Sequence, residues 1–179
     1  KLPNTYFGQV SALEGSAVAG FITINMFQPG FREYLSIELS SPVTPGMPYS
    51  VSFYLSNAVA NSYGARASNN IGAAFTVGAP TQTMREVLPL NPQCEISSVV
   101  YHTNWVQYSF TFVPTQAFTH MSIGNFRDDA STTHSIYTTG YALSYYFIDL
   151  VNVSPLTTLP SNLLDLQQVE DEDAVVLEW

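Results

Sequence analysis

An alternation of apolar and small polar residues with period two, repeated along most of the chain, limits its fold more than any other feature. In "MPYSVSFYLSN", Tyr49, Val51, Phe53 and Leu55 share one side, and Ser50, Ser52, Tyr54 and Ser56 the other. In "NWVQYSFTFVP", Val106, Tyr108, Phe110 and Phe112 oppose Gln107, Ser109 and Thr111. "THMSIGNF" sets Met121 and Ile123 against Ser122, Gly124 and Phe126, and "NNIGAAFTV" sets Ile71, Ala73 and Phe75 against Asn70, Gly72 and Ala74. Successive side chains of a strand point to opposite faces, so each run predicts a half-buried antiparallel strand. Further strands are expected over 17–25, 33–41 and 144–154. Pro and Gly clusters punctuate them, and no sustained 3.6-residue pattern precedes residue 160. The pattern predicts an all-β antiparallel sandwich, a jelly roll, over residues 1–155.

Residues 156–179 read as an acidic C-terminal extension. Asp165, Glu170, Asp171, Glu172, Asp173 and Glu178 hold six of the fourteen acids, while the rest of the chain has eight acids against five bases. "LLDLQQV" has the look of a short helix. "AVVLEW" is either part of a solvated tail or a strand that pairs with an exposed sheet edge, here or on a partner. With a net charge of −9 and five scattered bases, the chain lacks the basic cluster that nucleic-acid binding needs. No apolar run of membrane-spanning length occurs. Cys94 is the single cysteine, and it reads as a packed thiol. The opening "KLPNTYFG" has the character of a mature, processed or excised start.

Three stretches together carry a resemblance. "REYLSIELSSPVTPGMPYSVSFYLS", "TNWVQYSFTFVPTQAFTHMSIGNFRDD" and "YYFIDLVNVS" resemble, in order and spacing, jelly-roll domains of the carbohydrate-binding-module type. They are similar to the galactose-binding-like domains in secreted and surface proteins of gliding bacteria. The likeness covers about residues 12–154. Two departures stand out: the opening strand of the family, with its Glu, is not matched here, and the second Asp of the closing motif is Leu150. The resemblance implies a non-catalytic, extracellular carbohydrate-binding or adhesion module, secreted or at the cell surface. It also implies that Asp149 helps hold a structural Ca²⁺, with Glu14 in place of the missing Glu. Asp149 has two other readings: a strand-end carboxylate accepting backbone N–H groups, or a partner of Arg32. An absent opening strand implies an unpaired sheet edge, open to a strand-exchange partner or to the chain's own tail.

For a ligand, the polar sides of the strands combine into a floor of small uncharged residues with Tyr54 and Phe126 above it. Tyr54, Ser52, Asn70, Gln107, Phe126, Asn125 and Arg127 are the candidate ligand-binding residues, suited to a neutral polar chain such as a glycan. The same floor suits a covering loop, such as 57–70, or a neighbouring protein. Trp105 reads more readily as an edge-packing residue than as a sugar-stacking one. No catalytic set emerges: His102, His120 and His134 are dispersed, and the adjacent Asp128 and Asp129 suit a turn better than a facing acid pair.

Overall fold

The computed structural model describes residues 7–57, 64–139, 143–156, 167–171 and 174–178. In chain order the strands are β1 (Ala19–Asn25), β2 (Leu35–Glu38), β3 (Tyr49–Ser56), β4 (Arg66–Ser68), β5 (Ile71–Thr76) and β6 (Cys94–Ile96). They continue with β7 (Val106–Phe112), β8 (His120–Asn125), β9 (His134–Ile136), β10 (Leu143–Pro155), β11 (Gln167–Asp171) and β12 (Ala174–Glu178). One sheet runs β7-β3-β10-β4-β9, with β1 also on β10; the other runs β2-β8-β5-β6. The strand pairings within these two sheets are antiparallel except the short contact of β10 with β4. The chain is an all-β sandwich, as the alternation requires.

The inward rows make the core. Val51, Phe53, Leu55, Phe21, Tyr146 and Ile148 from the six-stranded sheet meet Ile71, Ala73, Phe75, Met121 and Ile123 from the four-stranded one. Phe75 stacks on Phe112 with ring centroids 4.4 Å apart. Each fully buried side chain of this kind contributes roughly 1.5–3 kcal/mol by leaving water. Tyr146 is fully buried, and its hydroxyl donates to Val100 O at 2.7 Å while accepting Ser68 N–H at 2.8 Å. That hydroxyl satisfies two backbone groups inside the apolar layer and fixes β10 against β4.

The strands the alternation left out, β4, β6 and β9, are three residues each. Cys94, on β6, is buried, and burial pushes its thiol up to about 11. Its environment is that of a packed, unreactive thiol. The extension departs from expectation. Residues 167–169, read as the end of a short helix, are strand, and Ala174–Glu178 pairs with Gln167–Asp171 and not with an edge of the sandwich. β-Branched Val169, Val175 and Val176 favour this local hairpin. Residues 163–166 and Trp179 lie outside the described residues, as do Lys1–Tyr6 and residues 58–63.

Candidate functional site

The polar sides of the strands do not form one floor; they form two, on opposite outer faces of the sandwich. On the four-stranded sheet, Gly72, Ala74, Ser122 and Gly124 are buried. Tyr34, Leu88 and Leu90 pack with Ala74 and Phe126 into a second apolar cluster that covers this face, while Pro92 lies over Gly72; residues 58–63 of the loop expected to do so lie outside the described residues. Tyr34 donates to Asn125 O at 2.7 Å and accepts Leu88 N–H at 3.1 Å. The residues beneath are small because the cover is close: a methyl on Gly124 would meet the Tyr34 ring and come within 3.0 Å of Glu33 O. This part of the face is sealed; at the β2 edge Ser36 and Glu38 stay exposed.

Four of the seven candidate ligand residues lie at the ends of β5 and β8 in the four-stranded sheet, away from the other three. Asn70 donates to Ser131 O at 2.8 Å, and Asn125 donates to Thr132 Oγ1 at 3.1 Å. Phe126 packs against Tyr34 with centroids 4.9 Å apart. Arg127 forms a two-bond pair with Glu95, at 2.8 and 3.0 Å. The structure therefore separates these four from the other three and gives them structural partners. A polar residue on a sheet face serves the cover as well as it serves a ligand, and the alternation alone does not distinguish the two uses.

Tyr54, Ser52 and Gln107 do come together, on the outer face of the six-stranded sheet. The register across β7, β3 and β10 sets out three rows: Gln107–Tyr54–Asp149, Ser109–Ser52–Asn152 and Thr111–Ser50–Ser154. Gln107, Ser109, Thr111 and Asn152 are exposed, Tyr54, Ser50 and Ser154 are half-buried, and Ser52, at the centre of the middle row, is buried. One end of the strip is bounded by the segment before β1. There Phe7 stacks on Tyr145 at 4.1 Å, and Trp105 Nε1–H donates to Ser11 O at 2.9 Å, so Trp105 ties an edge segment down. Asn152 and Ser154 escaped the sequence reading because of a bulge. The register shifts between Asp149 and Asn152, with Leu150 in the left-handed region at φ 48°, and the outward side passes from odd to even residue numbers.

Asp149 lies on this outward side. Its Oδ2 accepts Leu13 N–H at 2.7 Å and Glu14 N–H at 3.4 Å, and its Oδ1 accepts the N–H of Leu150 at 2.8 Å. Arg32 is elsewhere, paired with Asp129 at 2.8 Å. N–H dipoles aimed at a carboxylate favour its negative charge and oppose a cation beside it. Glu14 reaches Asp149 through its amide, and its side chain is exposed. This donor set fits an anchored strand-end carboxylate and does not fit a calcium site, which needs about six to eight oxygens converging. Among the described residues, no group of three or more His, Cys, Asp and Glu side chains is placed to hold a metal ion.

The three histidines, Asp128 and Asp129 have local partners. His102 Nε2 is 3.0 Å from Tyr108 OH, His120 Nδ1 is 2.8 Å from Thr119 Oγ1, and His134 Nδ1 accepts from Arg66 at 2.9 Å. Asp128 accepts the N–H of Ser131 at 2.7 Å, a turn-capping contact. Hydrogen bonds from Ser131 hold its carboxyl below the usual range. Asp129 Oδ2 accepts Gly30 N–H at 2.7 Å. Among the described residues, no helix is long and apolar enough to cross a membrane.

No known family model and no curated protein matches the chain. Among solved structures, the chain is similar to one reported as "CBM4 structure and function", at 13% identity and a TM-score of 0.38. The match covers 69% of this chain and 59% of that one.

Proposed function

We propose that this chain is a non-catalytic binding module whose exposed polar strip takes a neutral, hydroxyl-rich ligand of the glycan class. The observation that carries the reading is the three-row strip on β7, β3 and β10. Its side chains are hydroxyls and carboxamides with one tyrosine ring, and its single carboxylate, Asp149, already accepts backbone N–H groups. Hydroxyls and amides both donate and accept, which matches the hydroxyls of a sugar. The half-buried Tyr54 ring supports stacking on an apolar sugar face. A secreted or cell-surface setting, an adhesive role and the gliding-bacterial context of the resemblance belong to this proposal. The sparse charge of the chain, 11% of residues, is in keeping with them.

The test is retention on a panel of immobilised neutral polysaccharides, comparing the wild type with Tyr54→Ala and Gln107→Ala. Retention that both substitutions weaken supports the reading. Failure of the wild type to be retained on any member of the panel overturns it. A second reading, an assembly role through strand addition, is favoured by a different observation, the open side of the sandwich.

A further inference from the structure

β1 pairs with β10 only from Leu143 to Ile148, its last partner being Ala19. Beyond that point the chain is drawn onto the outer face, where Asp149 holds the N–H groups of Leu13 and Glu14. From Asp149 to Pro155, β10 pairs with β3 along one edge, and among the described residues no strand pairs with the other edge. Across the gap, β2 is the outermost strand of the four-stranded sheet. Between these two edges runs a cleft of about 460 Å³, lined by Leu35, Ile37, Ile123, Ile148, Val151 and Val153 among others. A continuation of about 220 Å³ leads past Leu39 and Val43 to Tyr49 and Pro155.

Ile37 is the informative residue. It pairs with the core residue Met121 and so belongs to the inward row of β2, yet it is 61% exposed. Val151, on the opposite lip, is 43% exposed. An inward-facing isoleucine left in water marks a place where the layer opposite is short of a side chain. An open edge with unpaired N–H and C=O groups beside it is a template for another strand.

We infer that this slot accepts one added β-strand, lying in the lane that β1 vacates and supplied from outside these 179 residues. Asp149–Pro155 spans about 23 Å at roughly 3.3 Å per residue, so the strand is about seven residues long. Its inward residues are apolar, to fill the cleft against Ile37 and Val153, and its outward ones are small and polar, to continue the strip. It is neutral or basic, because Glu38 lines the cleft and Asp149 stands at its end. The chain's own tail is a poor occupant: Ala174–Glu178 already pairs with Gln167–Asp171, and its five acids from Glu170 to Glu178 would come beside Glu38. Lys1–Tyr6 carries Pro3, which lacks an N–H, and does not alternate. The inference stands independently of the glycan reading.

The test uses the full chain and a synthetic nine-residue peptide of alternating Val and Thr with Lys at each end. A control peptide carries Pro at the central position. Titration calorimetry and sedimentation are expected to show saturable one-to-one binding to a monomer and no binding of the control. Ile37→Asp, at an exposed position whose folding is checked by melting, weakens binding about tenfold or more, while Tyr54→Ala leaves it unchanged. Absence of binding overturns the inference. So does binding seen only after residues 167–179 are deleted, which would make the tail the occupant. A dimer that the peptide dissociates would assign the slot to a second copy, and that too overturns it.

Discussion

Arg32 is fully buried, and removing its counter-charge tests how the turn after β8 is held. The Arg32 Nη1 atom lies 2.8 Å from Asp129 Oδ1, but as a charge contact off the line of a good hydrogen bond, and Nε has no acceptor. The guanidinium also donates to Phe31 O and Arg127 O, both at 2.9 Å. In Asp129→Ala the guanidinium keeps its two carbonyls and loses its ion-pair partner, leaving the weaker field of the Asp128 carboxylate. Breaking a buried pair from one side costs roughly 3–5 kcal/mol. The Asp129 side chain is 35% exposed, so water can enter the space, and the lower end, about 3 kcal/mol, is expected. For a domain of this size that is a fall in Tm of about 6–12 °C. Urea unfolding of wild type, Asp129→Ala, Arg32→Met and the double variant gives the cycle. The double variant is expected to lose less than the sum of the two singles, because each partner alone leaves the other stranded. An Asp129→Ala protein within 1 kcal/mol of wild type, or strict additivity, would refute the reasoning.

Other expectations concern Asp149 and His134. Asp149→Ala removes the acceptor for three N–H groups, and stability is expected to fall by about 1–3 kcal/mol. Wild-type Tm is expected to be the same in Ca²⁺ and in EDTA, and a rise in Ca²⁺ that Asp149→Ala abolishes would restore the calcium reading. Burial, and then the Arg66 charge, lower the pKa of His134, opposed by Asp129. With the folded pKa below the unfolded one, this contribution to stability is complete above the ordinary histidine value of about 6.5. It is lost as pH falls through the lowered folded value, so urea midpoints should drop on acidification from there and His134→Gln should flatten that slope.

The sandwich was legible because its strands carry their inward rows openly. Val51, Phe53 and Leu55, or Met121 and Ile123, announce a face through spacing alone. The small strands β4, β6 and β9 were not legible, since three residues cannot establish a period of two. The site was half legible for a different reason. Ser109 and Ser122 look alike in sequence, both being small hydroxyls opposite apolar neighbours, but one is exposed on the strip and the other is buried, beside Ala74 and bonded to Ser36. What separates them is a long-range packing decision made by Tyr34, Leu88 and Leu90, which no local pattern records. Asn152 and Ser154 were hidden by the single extra residue of the bulge. Asp149 was conspicuous as a charge in an aromatic strand, and its use follows from the arrival of a segment 135 residues earlier in the chain.

The cluster that closes over Gly124 gives the molecule a back and a front. With the middle of one broad side shut by Tyr34, Leu88 and Leu90, a partner approaching there meets a finished surface, while the strip and the cleft remain accessible from the other directions. A label, a tether or a neighbouring domain attached among residues 78–87 would therefore leave both recognition surfaces turned outward, and crowding many copies on a support by that side should not diminish their capacity.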